Sequence, residues 1–170
     1  MITAPERGEA AEYYQGYISH AGPGDIVGQM ESRTTVELLR AVSEERSLYR
    51  YAPPKWSIRE VVSHINDTER VFAHRALWFA RGFDSELPSF DQDLAVAAAG
   101  ADARTLASHI DEFQALRAST HSLFRELPPE AWMRRGLASG NPFTVRALAY
   151  IIVGHVNHHL RVLRERYLAS

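Results

Sequence analysis

The 170-residue chain contains no cysteine. That absence removes disulfides, thiolate metal ligands and a cysteine nucleophile together, so a bound metal would be held by nitrogen and oxygen. Net charge is small: 19 Lys and Arg against 21 Asp and Glu give −2 at pH 7. No overall basic field supports nucleic-acid binding. Long apolar runs are missing too. None approaches the ~20 residues needed to span a bilayer, and Met1 to Ala11 has no apolar core of signal-peptide length. These absences point to a soluble, cytoplasmic protein with no membrane or nucleic-acid partner. The length suits a single domain over residues 1–170, able to bury roughly 70% of its unfolded surface without a staple. No internal repeat or low-complexity segment divides it, and residues 1–11, small and polar, read as a loose N-terminal arm.

What the chain does have is eight histidines, two of them in an apolar stripe. Between Ala147 and Arg166, Leu148, Ile152, His155, His159 and Val162 fall on one helix face. Residues four apart stand one turn above each other, so the ring nitrogens of His155 and His159 can converge on one point, as in helical zinc sites. Chance alone would give about 0.4 such pairs for this many histidines. The spacing therefore needs further ligands before it means a metal.

Four long amphipathic helices can be read along the chain, predicting an all-α four-helix bundle. Asp25 is a plausible N-cap for the first, with Ile26, Val27, Met30, Thr34, Leu38 and Val42 on one side. Before it, Tyr13, Tyr14 and Tyr17 suggest a short packed segment. Ser57 and Glu60 have capping-box spacing and open the second helix, which runs to about Arg81 before Gly82. Its main stripe is Ile58, Val61 or Val62, Ile65, Glu69, Phe72, Ala76 and Phe79. His64 lies about 110° round from that stripe, on a second face with Val71 and Trp78, so this helix should contact two partners. Gly82 to Ala103 reads as a long connector, with one helical turn in Leu94 to Ala99. The third helix spans Thr105 to Glu126 and stops at Pro128-Pro129. Trp132 to Phe143 reads as a loop, after which Thr144 caps the fourth helix.

Candidate residues around this framework divide by chemistry. His64 with His155 and His159 would make a three-nitrogen set, leaving a fourth position open for water or substrate as catalytic zinc sites do. His109 is a possible further ligand, although a hydrogen-bonded histidine at the helix margin explains it as well. Asp67, three residues on, could orient His64 or serve as a base. Glu69, on an apolar stripe, calls for an arginine on a facing helix. Asp91 and Asp93 could cap the site from the connector or be solvated loop residues. No catalytic residue can be named from this pattern.

The segments Trp56-Ser57-Ile58-Arg59-Glu60-Val61-Val62-Ser63-His64-Ile65-Asn66-Asp67-Thr68-Glu69-Arg70 and Arg146 to Leu160, with its Gly154-His155-Val156-Asn157-His158-His159, resemble the two signature helices of the DinB superfamily. Phe90-Asp91-Gln92-Asp93 shares the likeness, which extends over most of residues 13–168. It implies an up-down-down-up bundle, a homodimer and a divalent metal on His64, His155 and His159. Zinc or nickel would be favoured, with iron or copper compatible with nitrogen donors. The resemblance also implies either a metal-dependent hydrolase or a thiol-dependent S-transferase that uses a low-molecular-weight thiol on a small-molecule substrate. A non-catalytic dimeric metal- or ligand-binding module is the alternative, since fold alone does not carry function.

Overall fold

The computed structural model describes residues 2–169 and is mostly helical. Six α-helices are α1 (Glu12–Ala21), α2 (Arg33–Arg40), α3 (Ile58–Ala80), α4 (Gln92–Ala99), α5 (Leu106–Arg125) and α6 (Val145–Val162). Two strands, β1 (Arg135–Ala138) and β2 (Asn141–Thr144), pair antiparallel with Arg135 opposite Thr144. Among the described residues, no helix is long and apolar enough to cross a membrane.

The three long helices begin where local chemistry directs. Ser57 accepts from the Glu60 amide at 3.0 Å, and the Glu60 carboxylate accepts from the Ser57 amide at 2.8 Å, which closes a reciprocal capping box on α3. Thr105 caps α5 through the Ser108 amide, and Thr144 caps α6 through the Ala147 amide. Helix α3 packs against both α5 and α6, as its two apolar faces require. It is buried on nearly every side, with Ile58, Val62, Ile65, Ala76 and Phe79 at 1% exposure or less.

The expected first helix, Asp25 to Val42, does not form as one element. The Asp25 carboxylate accepts from the Val27 amide at 3.1 Å, a short 3₁₀ turn covers Gly28–Met30, and Glu31 is extended before α2 starts. Asp25 thus satisfies a turn rather than a helix end. A 3₁₀ turn and the short α2 take the place of one long helix, whereas the short packed segment expected at Tyr13 to Tyr17 is α1. Helix α1 contributes Ala21 to a core with Phe72, Phe143 and Leu148, whereas α2 contributes Val36 and Leu39 to a second core with Ile65, Phe113 and Leu160.

One further expectation is extended and two are corrected. The connector after Gly82 is helical at Leu94 to Ala99 as expected, within the longer α4 that Asp91 caps, and Leu87 bridges to Ala138. The alanine-rich α4 buries only Val96, so it left no apolar stripe to read. The Trp132–Phe143 loop is instead largely a β-hairpin. Its two-residue turn, Ser139-Gly140, has positive φ at both positions (55° and 71°), the geometry that matches strand twist. The arm is docked as well: Thr144 N–H donates to the Glu9 carbonyl at 2.9 Å, Arg146 binds the Glu9 carboxylate, and the Tyr150 hydroxyl donates to the Ile2 carbonyl.

Candidate metal centre

Helices α3 and α6 bring three histidines together. His64 comes from the second turn of α3, whereas His155 and His159 stand on successive turns of α6. The Nε2 atom of His155 lies 3.1 Å from His64 Nε2 and 3.1 Å from His159 Nε2. All three nitrogens fall within 4.8 Å of one another. His64 and His155 are buried, at 3% and 4% exposure, and His159 is half-buried.

Hydrogen bonding does not account for this cluster. An imidazole nitrogen has either one N–H or one in-plane lone pair, so His155 Nε2 cannot make well-directed bonds to both neighbours at once. Around one tetrahedral ion with ligands at 2.0–2.1 Å, neighbouring nitrogens stand about 3.3 Å apart. The observed spacing is close to that. Burial lowers the pKa of all three rings, His64 to about 4 and His159 to about 3, with His155 pushed well below its ordinary value first by burial and then by its histidine neighbours. The rings are therefore neutral at pH 7, with lone pairs free for a divalent cation.

The surroundings orient the set. Thr68 Oγ1 lies 3.3 Å from His64 Nδ1. Accepting the Nδ1 proton there leaves Nε2 unprotonated and aimed at the cluster. The Tyr17 ring packs edge-on to His155 at 5.2 Å, and Trp56 packs on His64 at 4.9 Å. Gly154 makes the first contact possible, because a Cβ there would overlap the Tyr17 carbonyl. A cleft of about 170 Å³ reaches His155 from the side of α1, lined by Tyr17, Thr68, Arg75, Gln92 and Ser139 among others.

This arrangement sorts the other candidates. His109 is fully buried and its Nε2 is 3.0 Å from the Ala101 carbonyl, so it supports a turn and does not join the set. Asp67 pairs with Arg70 at 3.3 Å, and Thr68 takes the orienting position proposed for it. Glu69 meets Arg117 of α5 at 2.8 Å. Asp91 caps α4, whereas Asp93 lines a second cleft of about 320 Å³ with Trp56, His158 and His159. His20 and His158, both half-buried, pack against each other with their rings tilted by 35°, and His158 meets the Tyr17 ring edge-on. Among the described residues, the only group of three or more candidate metal ligands is His64, His155 and His159. Sequence reasoning missed Thr68 and Arg75. The i, i+4 spacing from His64 could have found Thr68, but nothing local marked Arg75.

A profile of the DinB superfamily matches residues 29–163. The chain belongs to the DinB superfamily. Among solved structures this DinB protein is similar to one reported in the words "YfiT from Bacillus subtilis is a probable metal-dependent hydrolase with an unusual four-helix bundle topology". That likeness has a TM-score of 0.71 at 17% identity and covers 96% of this chain and 90% of YfiT. At that identity the likeness is one of fold. No curated protein matches the sequence.

Proposed function

We propose that this DinB protein is a divalent-metal-dependent hydrolase of a small molecule, with His64, His155 and His159 as protein ligands and a fourth position left for water or substrate. The supporting observation is the pair of 3.1 Å approaches to the single Nε2 of His155. Zinc or nickel suits three neutral imidazoles best, and iron and copper also accept them. When bound, such an ion supplies Lewis acidity and lowers the pKa of water toward neutrality. The chain's own residues supply the rest. Burial holds the imidazoles neutral, Thr68 fixes the His64 tautomer, and the narrow cleft beside His155 limits substrate size and bulk water. Among the described residues no further candidate ligand joins the three histidines, and His109 is committed to Ala101. An up-down-down-up helix path, a cytoplasmic location and a homodimer accompany this reading. Sedimentation tests the dimer.

The decisive experiment is elemental analysis of protein purified without a histidine tag, followed by ester and amide hydrolysis assays on metal-free and metal-loaded samples. The reading expects about one ion per chain, hydrolysis that depends on it, and loss of both in His155→Ala. A protein that takes up no divalent ion when supplied with zinc or nickel overturns it. Turnover that appears only with an added low-molecular-weight thiol reassigns the site to S-transfer. Metal binding without turnover on the panel moves the protein to the binding-module class.

A further inference from the structure

Three arginines of this fold are buried, and two of them have an acidic partner. Arg59 meets Glu44 at 2.7 Å and Arg117 meets Glu69 at 2.8 Å. Arg75 is equally withdrawn, at 4% exposure, yet among the described residues no carboxylate pairs with it. Its Nη2 donates to the Pro88 carbonyl at 3.2 Å and to Ser139 Oγ at 3.0 Å, both neutral acceptors. The Phe72 and Phe143 rings, each 5.7 Å from the guanidinium carbon, offset part of the cost through their π faces. A buried cation ordinarily demands a countercharge, and this one has none of its own.

The guanidinium borders the cleft that leads to His155. No aspartate or glutamate lines that cleft, whereas Tyr17, Thr68, Gln92 and Ser139 offer polar groups. Burial and the neighbouring Tyr13 hydroxyl raise the pKa of Tyr17, so its phenol stays protonated. The surroundings therefore favour an anion. Arg75 also lies on the face of α3 that carries His64, Thr68 and Phe72, since eleven residues complete three turns to within about 20°. It stands roughly 16 Å along the axis from His64, with its Cβ tilted back toward that end of the helix. A molecule held by Arg75 would extend toward the histidines.

We propose that the cleft between Arg75 and His155 binds a small monocarboxylate, which supplies the countercharge that the Arg75 guanidinium lacks. Both hydrogens of Nη2 are taken by Pro88 and Ser139, so a carboxylate would accept a charge-assisted hydrogen bond from the other guanidinium nitrogens, and a single guanidinium balances a single negative charge. A volume of about 170 Å³ lies below the roughly 300–1,000 Å³ of pockets for drug-sized ligands, so the ligand is small. This proposal rests on the hydrolase reading for its chemistry. The substrate class is then a small ester or amide bearing a free carboxylate. Water's hydroxyl joins the acyl carbon as the carbon–oxygen or carbon–nitrogen bond breaks, and the leaving atom takes the remaining proton.

The test uses full-length, metal-free protein in low-chloride buffer, titrated calorimetrically with butyrate, butanamide and inorganic phosphate. Butyrate should bind about tenfold or more tightly than butanamide, a difference set by the charged hydrogen bonds. Arg75→Met should abolish that preference and Arg75→Lys should keep part of it. Gln92→Glu, at an exposed position on the rim, should weaken butyrate and leave butanamide unchanged, which keeps the test decisive if Arg75→Met does not fold. The proposal is overturned if butyrate does not bind, if butanamide or phosphate binds as well or better, or if Arg75→Met retains the preference. Metal uptake distinguishes the two readings. Uptake without anion preference removes the Arg75 proposal alone, and anion preference without uptake removes the hydrolase.

Discussion

Gly154 of α6 lies directly against the Tyr17 carbonyl of α1, with no room between them for a Cβ. This contact fixes α1 one residue before His155 and sets the Tyr17 ring beside that histidine. Gly154→Ala should push the helices apart and cost about 1–3 kcal/mol, as overpacking of a filled interior does. Urea unfolding checks the cost. Metal affinity, read by competition with a chromophoric chelator, should fall as well, even though alanine favours a helix over glycine. An unchanged unfolding midpoint would show that α1 is not held there.

Thr68 and His64 form the second relationship with a measurable consequence. Loss of the Thr68 hydroxyl should lower divalent-metal affinity by about 10- to 100-fold, the range seen when the group orienting a ligand is removed. Thr68→Val preserves shape and is the variant of choice, whereas His64→Ala should reduce binding further. Metal-induced stabilisation offers an independent readout, about 2.7 kcal/mol at a free concentration one hundred times Kd. Equal zinc affinity in Thr68→Val and the parent would remove Thr68 from the site.

The docked arm makes stability depend on pH through Glu9. Burial alone would raise its pKa, but the Arg146 guanidinium, the Glu6 amide and the Thr144 hydroxyl outweigh it and hold the carboxyl down at about 2. A group whose folded pKa is depressed contributes stability above its unfolded pKa and loses it as pH falls through the folded value. Here the contribution is complete above about pH 4.5 and decays toward pH 2. It amounts to about 3 kcal/mol at most. Glu9→Gln should flatten that part of the acid-denaturation curve, followed by circular dichroism, and lower stability at pH 7.

Glu69 and Arg117 carry opposite charges in a nearly dry environment, at 2% and 4% side-chain exposure. Burial acts first on both, raising the glutamate pKa and lowering that of the arginine. Removal of one partner leaves an uncompensated charge, so Arg117→Met should cost about 3–5 kcal/mol. The double replacement Glu69→Leu/Arg117→Met should recover most of the loss, because desolvation takes back much of what the pair gains. Denaturant melts of the three variants form the cycle. A double variant as unstable as the single one would mean that the pair contributes more than its desolvation costs.

Much of this protein was legible residue by residue. The capping box at Ser57 and Glu60, the Thr105 and Thr144 caps and the stops at Gly82 and Pro128 are local signals, acting over three or four residues, so α3, α5 and α6 fall where they were expected. An arginine opposite Glu69 is expected from the cost of burying a lone carboxylate, and Arg117 stands there. The His155 and His159 spacing needed only helical geometry, His64 was set beside them by the second apolar face of its helix, and the family resemblance implied the same three residues as ligands.

The remainder depends on contacts between distant segments. Asp25 could cap a helix or close a turn, and the turn wins in the segment that joins α1 to α2. The hairpin at Ser139-Gly140 becomes visible through its bridge to Leu87 and the packing of Gly136 against Phe79. The convergence of three imidazoles follows from α3 packing on α6, and the unpaired charge of Arg75 appears only once the surroundings of every buried arginine are known. Caps and periodicity are short-range free energies written into neighbouring residues. A convergence of three imidazoles and the cleft beside it are properties of the space between helices, which exists after the chain has folded.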